Sequence, residues 1–165
     1  INNLLKKIKR KEIECNTLKL NKLIKNFSEP GPVGIKDEDK RVDVFIKDKD
    51  KNIFFIDITS PKPNIKEFGA MKLKLMRWTA IGYANYDAKS VSAILCMPYN
   101  PSHPKPYKRF SGDITCDFKN DVKIQNDFWD TVAGFPVYDE IVKVFEIVGK
   151  KIRTKLEDKM NTFTN

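Results

Sequence analysis

Two apolar segments separated by a short polar link constrain the fold of this chain most strongly. Residues 42–47 (VDVFIK) alternate between apolar and polar or aromatic side chains, and residues 53–58 (IFFIDI) are almost continuously apolar. The link between them, residues 47–52 (KDKDKN), is strongly polar. Two β-rich segments around such a link are typical of a β-hairpin. Because the second segment is apolar on both faces, we expect it to be a central strand of a sheet.

The rest of the chain predicts helices around this hairpin. Apolar spacing predicts helices over residues 1–27, 65–86, 126–133 and 137–160, and strands over residues 89–97 and 114–118. Pro30 and Pro32 end the first helix because proline cannot continue it. This order predicts an α/β fold with a mixed central sheet flanked by helices. We expect one domain over residues 1–165, and because Ile1 is not preceded by Met, an N-terminal part of the full protein can be missing.

The charge balance favours a polyanionic partner. The chain has 31 Lys and Arg against 22 Asp and Glu, for a net charge of +9. Basic surfaces bind nucleic acids by releasing condensed counterions, so nucleic acid is the first candidate and an acidic membrane surface the second. Lysine enrichment from an AT-rich genome is the alternative explanation. No apolar run approaches the ~20 residues of a membrane span, and three cysteines without a CxxC pair favour reduced thiols and a cytoplasmic location.

Two aspartates of the hairpin stand out chemically. Asp43 lies within the first strand and Asp57 near the end of the second, where strand pairing can bring them together. Aspartate is rare in strands, and a charge near the core is costly without a partner. A divalent cation such as Mg²⁺, which prefers carboxylates and water, would explain the pair. Ion pairs with nearby lysines at a sheet edge would explain it equally well.

These residues also carry a resemblance to known nucleases. An Asp followed about a dozen residues later by a second acid resembles the PD-(D/E)XK nuclease pattern. More narrowly, four segments resemble the TdeIII family of type II restriction endonucleases, in that family's order: DITSPKPN at 57–64, MPYNP at 97–101 with YKRF at 107–110, NDFWDTVAG at 126–134 and VYDEIVKVFEIVG at 137–149.

The resemblance implies a restriction-endonuclease-like fold and a Mg²⁺-dependent endodeoxyribonuclease. Such an enzyme would hydrolyse double-stranded DNA at a short palindromic site, GGNCC-like for that family, as a homodimer, and would leave a 5′-phosphate. A cognate methyltransferase would belong to the same restriction-modification system, without a direct complex. The metal site would comprise Asp43, Asp57 and Ile58.

One position departs from the nuclease pattern. Thr59 stands where the catalytic lysine is expected, two residues after Asp57. Lys62, Lys72 or Lys74 could supply the amine from another direction, or the protein could bind DNA without cutting it. Such nucleases often carry a further acid on an N-terminal helix, which makes Glu14, or its neighbour Glu12, an additional candidate.

The loop after the third strand is the candidate DNA-contacting segment. It combines amide, aromatic and basic side chains that suit phosphate contact and base readout; the candidates are Tyr99, Asn100, Lys105, Tyr107, Lys108 and Arg109. An ordinary proline-rich surface loop is the alternative. Two other functions therefore remain open beside the nuclease, namely a non-catalytic DNA-binding relative and a basic α/β interaction domain.

Overall fold

The computed structural model describes residues 1–28, 41–108 and 115–163. Its internal contacts divide the chain into two compact units, Ile1–Ile124 and Gln125–Asn165. The expectation of one domain over residues 1–165 stays a prediction. Among the helices of the described ranges, none is both long and apolar enough to cross a membrane.

The first unit is built on a four-stranded mixed sheet. Its elements are α1 (Asn2–Lys9), α2 (Thr17–Phe27), β1 (Val44–Lys47), β2 (Asn52–Ile58), α3 (Ile65–Asn85), β3 (Ser90–Met97), α4 (Phe118–Asp121) and β4 (Val122–Ile124). The strand order is β1-β2-β3-β4. β1 runs antiparallel to β2, whereas β2, β3 and β4 are parallel to one another. The predicted mixed α/β fold and the hairpin within it are confirmed.

The polar link between β1 and β2 forms a tight turn. The Asp48 side chain accepts hydrogen bonds from the backbone N–H groups of Asp50 and Asn52, both at 2.8 Å. Lys51 adopts a positive φ of 63° and closes the turn. Aspartate favours such turns because its carboxylate can bond backbone N–H groups two residues on. The turn thus fixes the register in which β1 meets β2.

Helix α3 covers one face of β2 and β3 and forms the main core with them. Ile53 and Phe55 of β2 are buried in one cluster with Trp78 and Leu75 of α3. Ile56 follows Phe55 directly and therefore faces the other way, and it is fully buried too. β2 is therefore buried on both faces, as its unbroken apolar sequence predicts. The N-terminus of α3 is fixed by a capping box between Asn64 and Glu67.

The predicted first helix is wrong as a single element. It breaks into α1 and α2, with a connection over residues 10–16. Lys11 has a φ of 58° in this connection, outside the helical region, and the Asn16 side chain accepts from Lys19 N–H to start α2. Asparagine satisfies exposed helix-start N–H groups, which favours a new N-terminus there. Ile8, Leu20 and Ile24 of the two helices pack around Met76 of α3.

The predicted strand over residues 114–118 is wrong where it can be compared. Ile114 lies outside the described residues, Thr115–Asp117 is not a strand, and Phe118 begins α4. The fourth strand is Val122–Ile124, paired with Leu95–Met97 of β3. Asp117 disfavours strand structure because its carboxylate accepts from nearby groups instead, including Thr17 N–H at 3.0 Å.

The second unit contains α5 (Asn126–Ala133) and α6 (Tyr138–Phe163), close to the two helices that the sequence predicts. Gly134 ends α5 with a φ of 78°, a left-handed conformation that favours glycine. The Asp130 carboxylate then accepts from the backbone N–H groups of Val137 and Tyr138 at the start of α6. Gly134 and the Asp130 carboxylate therefore determine where α5 ends and α6 begins.

Candidate active site

The hairpin brings Asp43 and Asp57 together where β1 begins and β2 ends. Asp43 directly precedes β1, so the prediction that it lies within the strand is wrong, because the pairing with β2 starts at Val44. Val44 pairs with Ile56, which places Asp43 across from Asp57 one step further along the register. Asp43 Oδ2 accepts a hydrogen bond from the Ile58 N–H at 2.7 Å, and Asp43 N–H donates to the Ile56 carbonyl at 3.2 Å. Both backbone and side chain of Asp43 are thereby tied to the end of β2.

Lys74 of α3 completes this group. Its Nζ lies 2.5 Å from Asp57 Oδ1, and the two side chains are 18% and 10% exposed. Alternation along β2 places Asp57 on the same face as Phe55, which α3 covers, so a lysine on α3 can reach it. The same ammonium lies 4.9 Å from the centre of the Trp78 ring, a cation–π contact that restricts where Lys74 can lie.

Burial raises the pKa of the Asp57 carboxyl above its usual range, and the negative charge of Asp43 adds to this. The Lys74 ammonium acts in the opposite direction and offsets the rise in part. Removing a carboxylate from water disfavours its charged form, whereas a nearby cation favours it. The site thus holds two adjacent carboxyl groups, one of which is in contact with a lysine ammonium.

These residues fit a divalent cation of the Mg²⁺ type. Hard cations prefer oxygen ligands, and Mg²⁺ commonly takes one or two carboxylates and completes its shell with water and phosphate oxygens. Asp43 and Asp57 offer the carboxylates, and Lys74 already holds positive charge against Asp57. Within the described ranges no group of three or more His, Cys, Asp and Glu side chains is placed to hold a metal. Water and substrate would therefore have to complete the shell.

Lys72, two residues before Lys74, lies in a different environment. Its Nζ is 2.6 Å from Asp121 Oδ2 and 2.6 Å from Thr17 Oγ1, and Thr17 Oγ1 donates to Asp121 Oδ1 at 2.6 Å. All three side chains are buried. This network joins α2, α3 and α4, so Lys72 is engaged in the core, away from Asp57. Sequence reasoning missed Thr17 and Asp121, because no local pattern marks partners that distant.

Two other predicted residues lie in connections between helices and strands. Lys62 is exposed in the segment between β2 and α3. Glu14 is exposed in the connection between α1 and α2, so the expectation that it lies on a helix is wrong. The broken first helix accounts for that difference. Whether either residue has a catalytic role stays a prediction.

The candidate DNA-contacting loop is a loop, as predicted, over its described residues 98–108. Tyr99, Lys105 and Lys108 are exposed. The Asn100 side chain accepts from Ser102 N–H at 2.9 Å and donates to the Lys105 carbonyl at 2.8 Å, so it shapes the loop. Arg109 lies outside the described residues.

Tyr107 ties that loop to the segment after Asp57. Its hydroxyl donates to the Pro61 carbonyl at 2.8 Å, and its ring centre lies 6.3 Å from that of Phe118. Pro61 precedes Lys62 and follows β2 by three residues. The half-buried Tyr107 side chain therefore links the loop to the segment that follows β2.

Two acids and a lysine at the end of a central strand of a mixed sheet define a candidate nuclease centre, and comparison with known proteins agrees with this class. Residues 1–149 match the model of the family described as "Type II restriction endonuclease, HinfI". The chain therefore belongs to the HinfI family of type II restriction endonucleases. The class that the sequence motifs indicated is confirmed, whereas the narrower likeness to the TdeIII family and the PD-(D/E)XK pattern is not confirmed by this match.

Curated relatives are type II restriction enzymes of Herpetosiphon aurantiacus. The chain is 28% identical to HgiEI, 27% to HgiBI and 26% to HgiCII, in each case over 122 residues that cover 73% of this chain and 44% of the relative. The chain thus spans less than half the length of these relatives. No solved structure matches it significantly.

Proposed function

We propose that this chain carries the catalytic core of a type II restriction endonuclease that hydrolyses phosphodiester bonds of double-stranded DNA with Mg²⁺. The observation that carries the proposal is the contact of Asp57 with Lys74 and the placement of Asp43 beside them, in a chain that belongs to a restriction endonuclease family. The raised pKa of Asp57 supports a functional reading, because buried, charge-coupled carboxyl groups are common in active sites.

In this proposal Asp43 and Asp57 hold the metal ion. Bound there, Mg²⁺ would lower the pKa of a coordinated water and stabilise charge on the phosphate. Ile58, the third predicted ligand, follows Asp57 directly, and its N–H binds Asp43. Because the N–H and C=O of one strand residue point to the same side, its carbonyl also faces the β1 side. That geometry makes the backbone oxygen the group through which Ile58 would contribute.

Lys74 is the amine that the geometry favours. A catalytic lysine must lie beside the acids, where its ammonium can offset charge on the phosphate and orient the attacking water. Lys74 meets that requirement through Asp57, whereas Lys72 is bound to Asp121 and Thr17 in the core. Thr59, which stands in the usual lysine position, donates its backbone N–H to the Cys96 carbonyl within the sheet. Lys74 on α3 would then replace the missing strand lysine, and Lys62 is the second choice.

The substrate side of the proposal rests on charge and exposure. The net charge of +9 and the exposed Lys105 and Lys108 of the loop favour contact with phosphates. Exposed Tyr99 could stack on or read a base, and Asn100 and Tyr107 would act by shaping and anchoring the loop. The proposal also includes a short palindromic recognition site, GGNCC-like, and action as a homodimer. It further includes a cytoplasmic location, a cognate methyltransferase, and the assignment to the TdeIII family and the PD-(D/E)XK nucleases.

A second candidate is a DNA-binding relative that does not cut. The absence of lysine at position 59 favours it. Both candidates predict DNA affinity that falls steeply with salt. They differ in whether phosphodiester bonds break.

The test is incubation of supercoiled plasmid with the purified protein in Mg²⁺, Mn²⁺ or EDTA. The nuclease proposal predicts discrete fragments with either metal and none in EDTA. Salt-sensitive DNA binding without fragments in either metal would favour the non-cutting relative. Neither binding nor cutting would leave the basic interaction domain as the better account.

A further inference from the structure

Three exposed lysines come together where α1 lies against the start of α3. Lys6 and Lys9 are three residues apart on α1 and so lie on one side of that helix, and Lys66 precedes Gly69 by three residues on α3. The Lys9 side chain joins the two helices, because its Nζ lies 2.9 Å from the point that a Cβ of Gly69 would occupy. We call Lys6, Lys9 and Lys66 the α1–α3 basic patch.

The charges of this patch are not neutralised by the described part of the chain. None of the three lysines forms an ion pair with a described carboxylate. Glu67, the acid next to Lys66, instead accepts the Asn64 backbone N–H at 2.6 Å in the capping box of α3. Ammonium groups held on adjoining helix surfaces repel one another, and an anion bound between them would relieve that repulsion. The arrangement therefore favours a negatively charged ligand.

The patch lies at the same edge of the sheet as the candidate active site. β2 and β3 are parallel, so their carboxyl ends lie at one edge, and Asp57 is next to the last residue of β2. α3 begins shortly after β2, which places its first turns, and Lys9 against them, near that edge. The loop that carries the exposed Lys105 and Lys108 follows β3 at the same edge. Basic side chains from three separate segments of the first unit thus lie at the end of the sheet where Asp57 is found.

We propose that the α1–α3 basic patch binds the DNA backbone at phosphates that flank the bond to be cut. The inference rests on the proposed nuclease function, because it takes duplex DNA as the ligand. Lysines bind phosphates as point charges, and such contacts position a duplex without reading its sequence. An acidic membrane surface is the other polyanion that a basic surface attracts, but the location beside the candidate active site favours DNA.

The packing of α1 indicates which phosphates the patch would contact. Ile8 of α1 packs with Met76 of α3, whereas Leu75 and Trp78 of α3 pack on the sheet. The patch is therefore separated from Asp57 by about the width of α3, which is ~10 Å. Successive phosphates of one strand are ~3.4 Å apart along the duplex axis. We thus expect contact about three phosphates away from the scissile one.

The experiment measures DNA affinity in EDTA, where no bond is cut, over a series of salt concentrations. It compares the wild type with a patch variant that combines Lys6→Gln, Lys9→Gln and Lys66→Gln. Circular dichroism checks that the helix content is unchanged.

The matched control removes the same charge at the other end of the strands. It combines substitutions of three exposed lysines near the β1–β2 turn and the start of β3, namely Lys47→Gln, Lys49→Gln and Lys89→Gln. A second patch variant with arginine at the three patch positions keeps the charges and should bind DNA as the wild type does.

The salt dependence gives the number of phosphate contacts that are lost. Each contact contributes about 0.9 to the slope of log affinity against log salt, so the slope of the glutamine patch variant should be less steep by about 2 to 3. Its affinity at low salt should fall roughly tenfold or more. The control variant should stay close to the wild type in both quantities.

The possible failures are distinguishable. Equal slopes and affinities of the patch variant and the control would overturn this inference and leave the proposed function intact. Loss of binding to vesicles of anionic phospholipid, with unchanged DNA affinity, would overturn it in favour of a membrane surface. A wild type without salt-sensitive DNA affinity would overturn the proposed function as well, since both take duplex DNA as the ligand.

Discussion

Lys74 of α3 and Asp57 of β2 lie 17 residues apart in the chain and form an ion pair of 2.5 Å. The pair joins the helix to the end of the central strand and is shielded from most solvent. Asp43, directly before β1, lies across the hairpin from the same carboxyl group. The candidate active site therefore depends on two structural relationships, the register of the hairpin and the packing of α3 on the sheet.

Replacing Lys74 by Met should reduce DNA cleavage strongly and leave the fold intact. If its ammonium offsets charge on the phosphate, its loss costs on the order of 100-fold in rate, comparable to loss of one transition-state donor in other enzymes. Single-turnover cleavage measures the effect. Lys62→Ala is the matched control and should retain most activity. Wild-type rates for Lys62→Ala, Lys72→Ala and Lys74→Met alike would refute the idea of a displaced lysine.

Replacing Lys72 by Met should instead destabilise the protein. Removal of one partner from a buried ion pair leaves the other charge uncompensated, which costs about 3–5 kcal/mol. The Asp121 carboxylate would lose its cation and Thr17 a hydrogen-bond donor. Urea denaturation gives the free energy of unfolding. A stability equal to that of Lys74→Met, combined with lost cleavage in a folded protein, would show that Lys72 is catalytic.

Metal binding should weaken at a higher pH than it would for an ordinary aspartate. Burial raises the pKa of Asp57 above the usual value of 3.8, and a proton on this carboxyl competes with the metal. Affinity for Mn²⁺ should therefore be full well above the raised pKa and fall as the pH drops through it. Titration calorimetry from pH 8 to pH 3.8 measures this. Unchanged affinity down to pH 3.8 would contradict it.

The raised pKa of Asp57 also makes the free energy of unfolding depend on pH. The folded state holds the proton of Asp57 more tightly than the unfolded state does, so this group's contribution to stability is greatest below pH 3.8 and declines as pH rises through the raised pKa. Without metal, Asp57→Asn should lower or abolish that part of the pH dependence. Denaturation curves at several pH values, each compared with Asp43→Asn, would detect it.

Gly82 tests the packing of α3 on the sheet. A Cβ at this position would lie 2.6 Å from Val91 Cγ1 and 2.9 Å from Phe55 Cε2. Gly82→Ala should therefore destabilise the protein by about 1–3 kcal/mol through overpacking. Gly149 of α6 has no atom near the corresponding point, so Gly149→Ala is the control and should not destabilise the helix. Equal melting temperatures of the wild type and Gly82→Ala would show that α3 packs differently.

Local patterns predicted the hairpin, α3 and the closeness of Asp43 to Asp57. Alternation along residues 42–58 and the polar link determine strand pairing within a few residues of sequence. The Asn64 cap and the apolar spacing after it likewise define the start of α3 locally. The two-carboxylate part of the candidate site could therefore be found without a structure.

Long-range contacts account for what the sequence left open. The choice among Lys62, Lys72 and Lys74 depends on which face of α3 meets β2, and Lys72 binds Asp121 49 residues away. Thr17 reaches the same carboxylate across 104 residues. The break in the first helix and the short strand β4 depend on the same packing, since residues 15–17 bond the segment of Thr115–Asp121. No local pattern reports such contacts.

The most direct test of the central claim compares wild type with Asp57→Asn in cleavage and in DNA binding. If Asp57 holds the catalytic metal, the variant should lose at least 100-fold in cleavage rate in Mg²⁺, since removal of a transition-state stabiliser typically costs ~10²–10³, and should keep its DNA affinity measured in Ca²⁺ or EDTA. Cleavage by Asp57→Asn at the wild-type rate would contradict the account, because the centre at Asp43, Asp57 and Lys74 would then not be where the phosphodiester bond is cut.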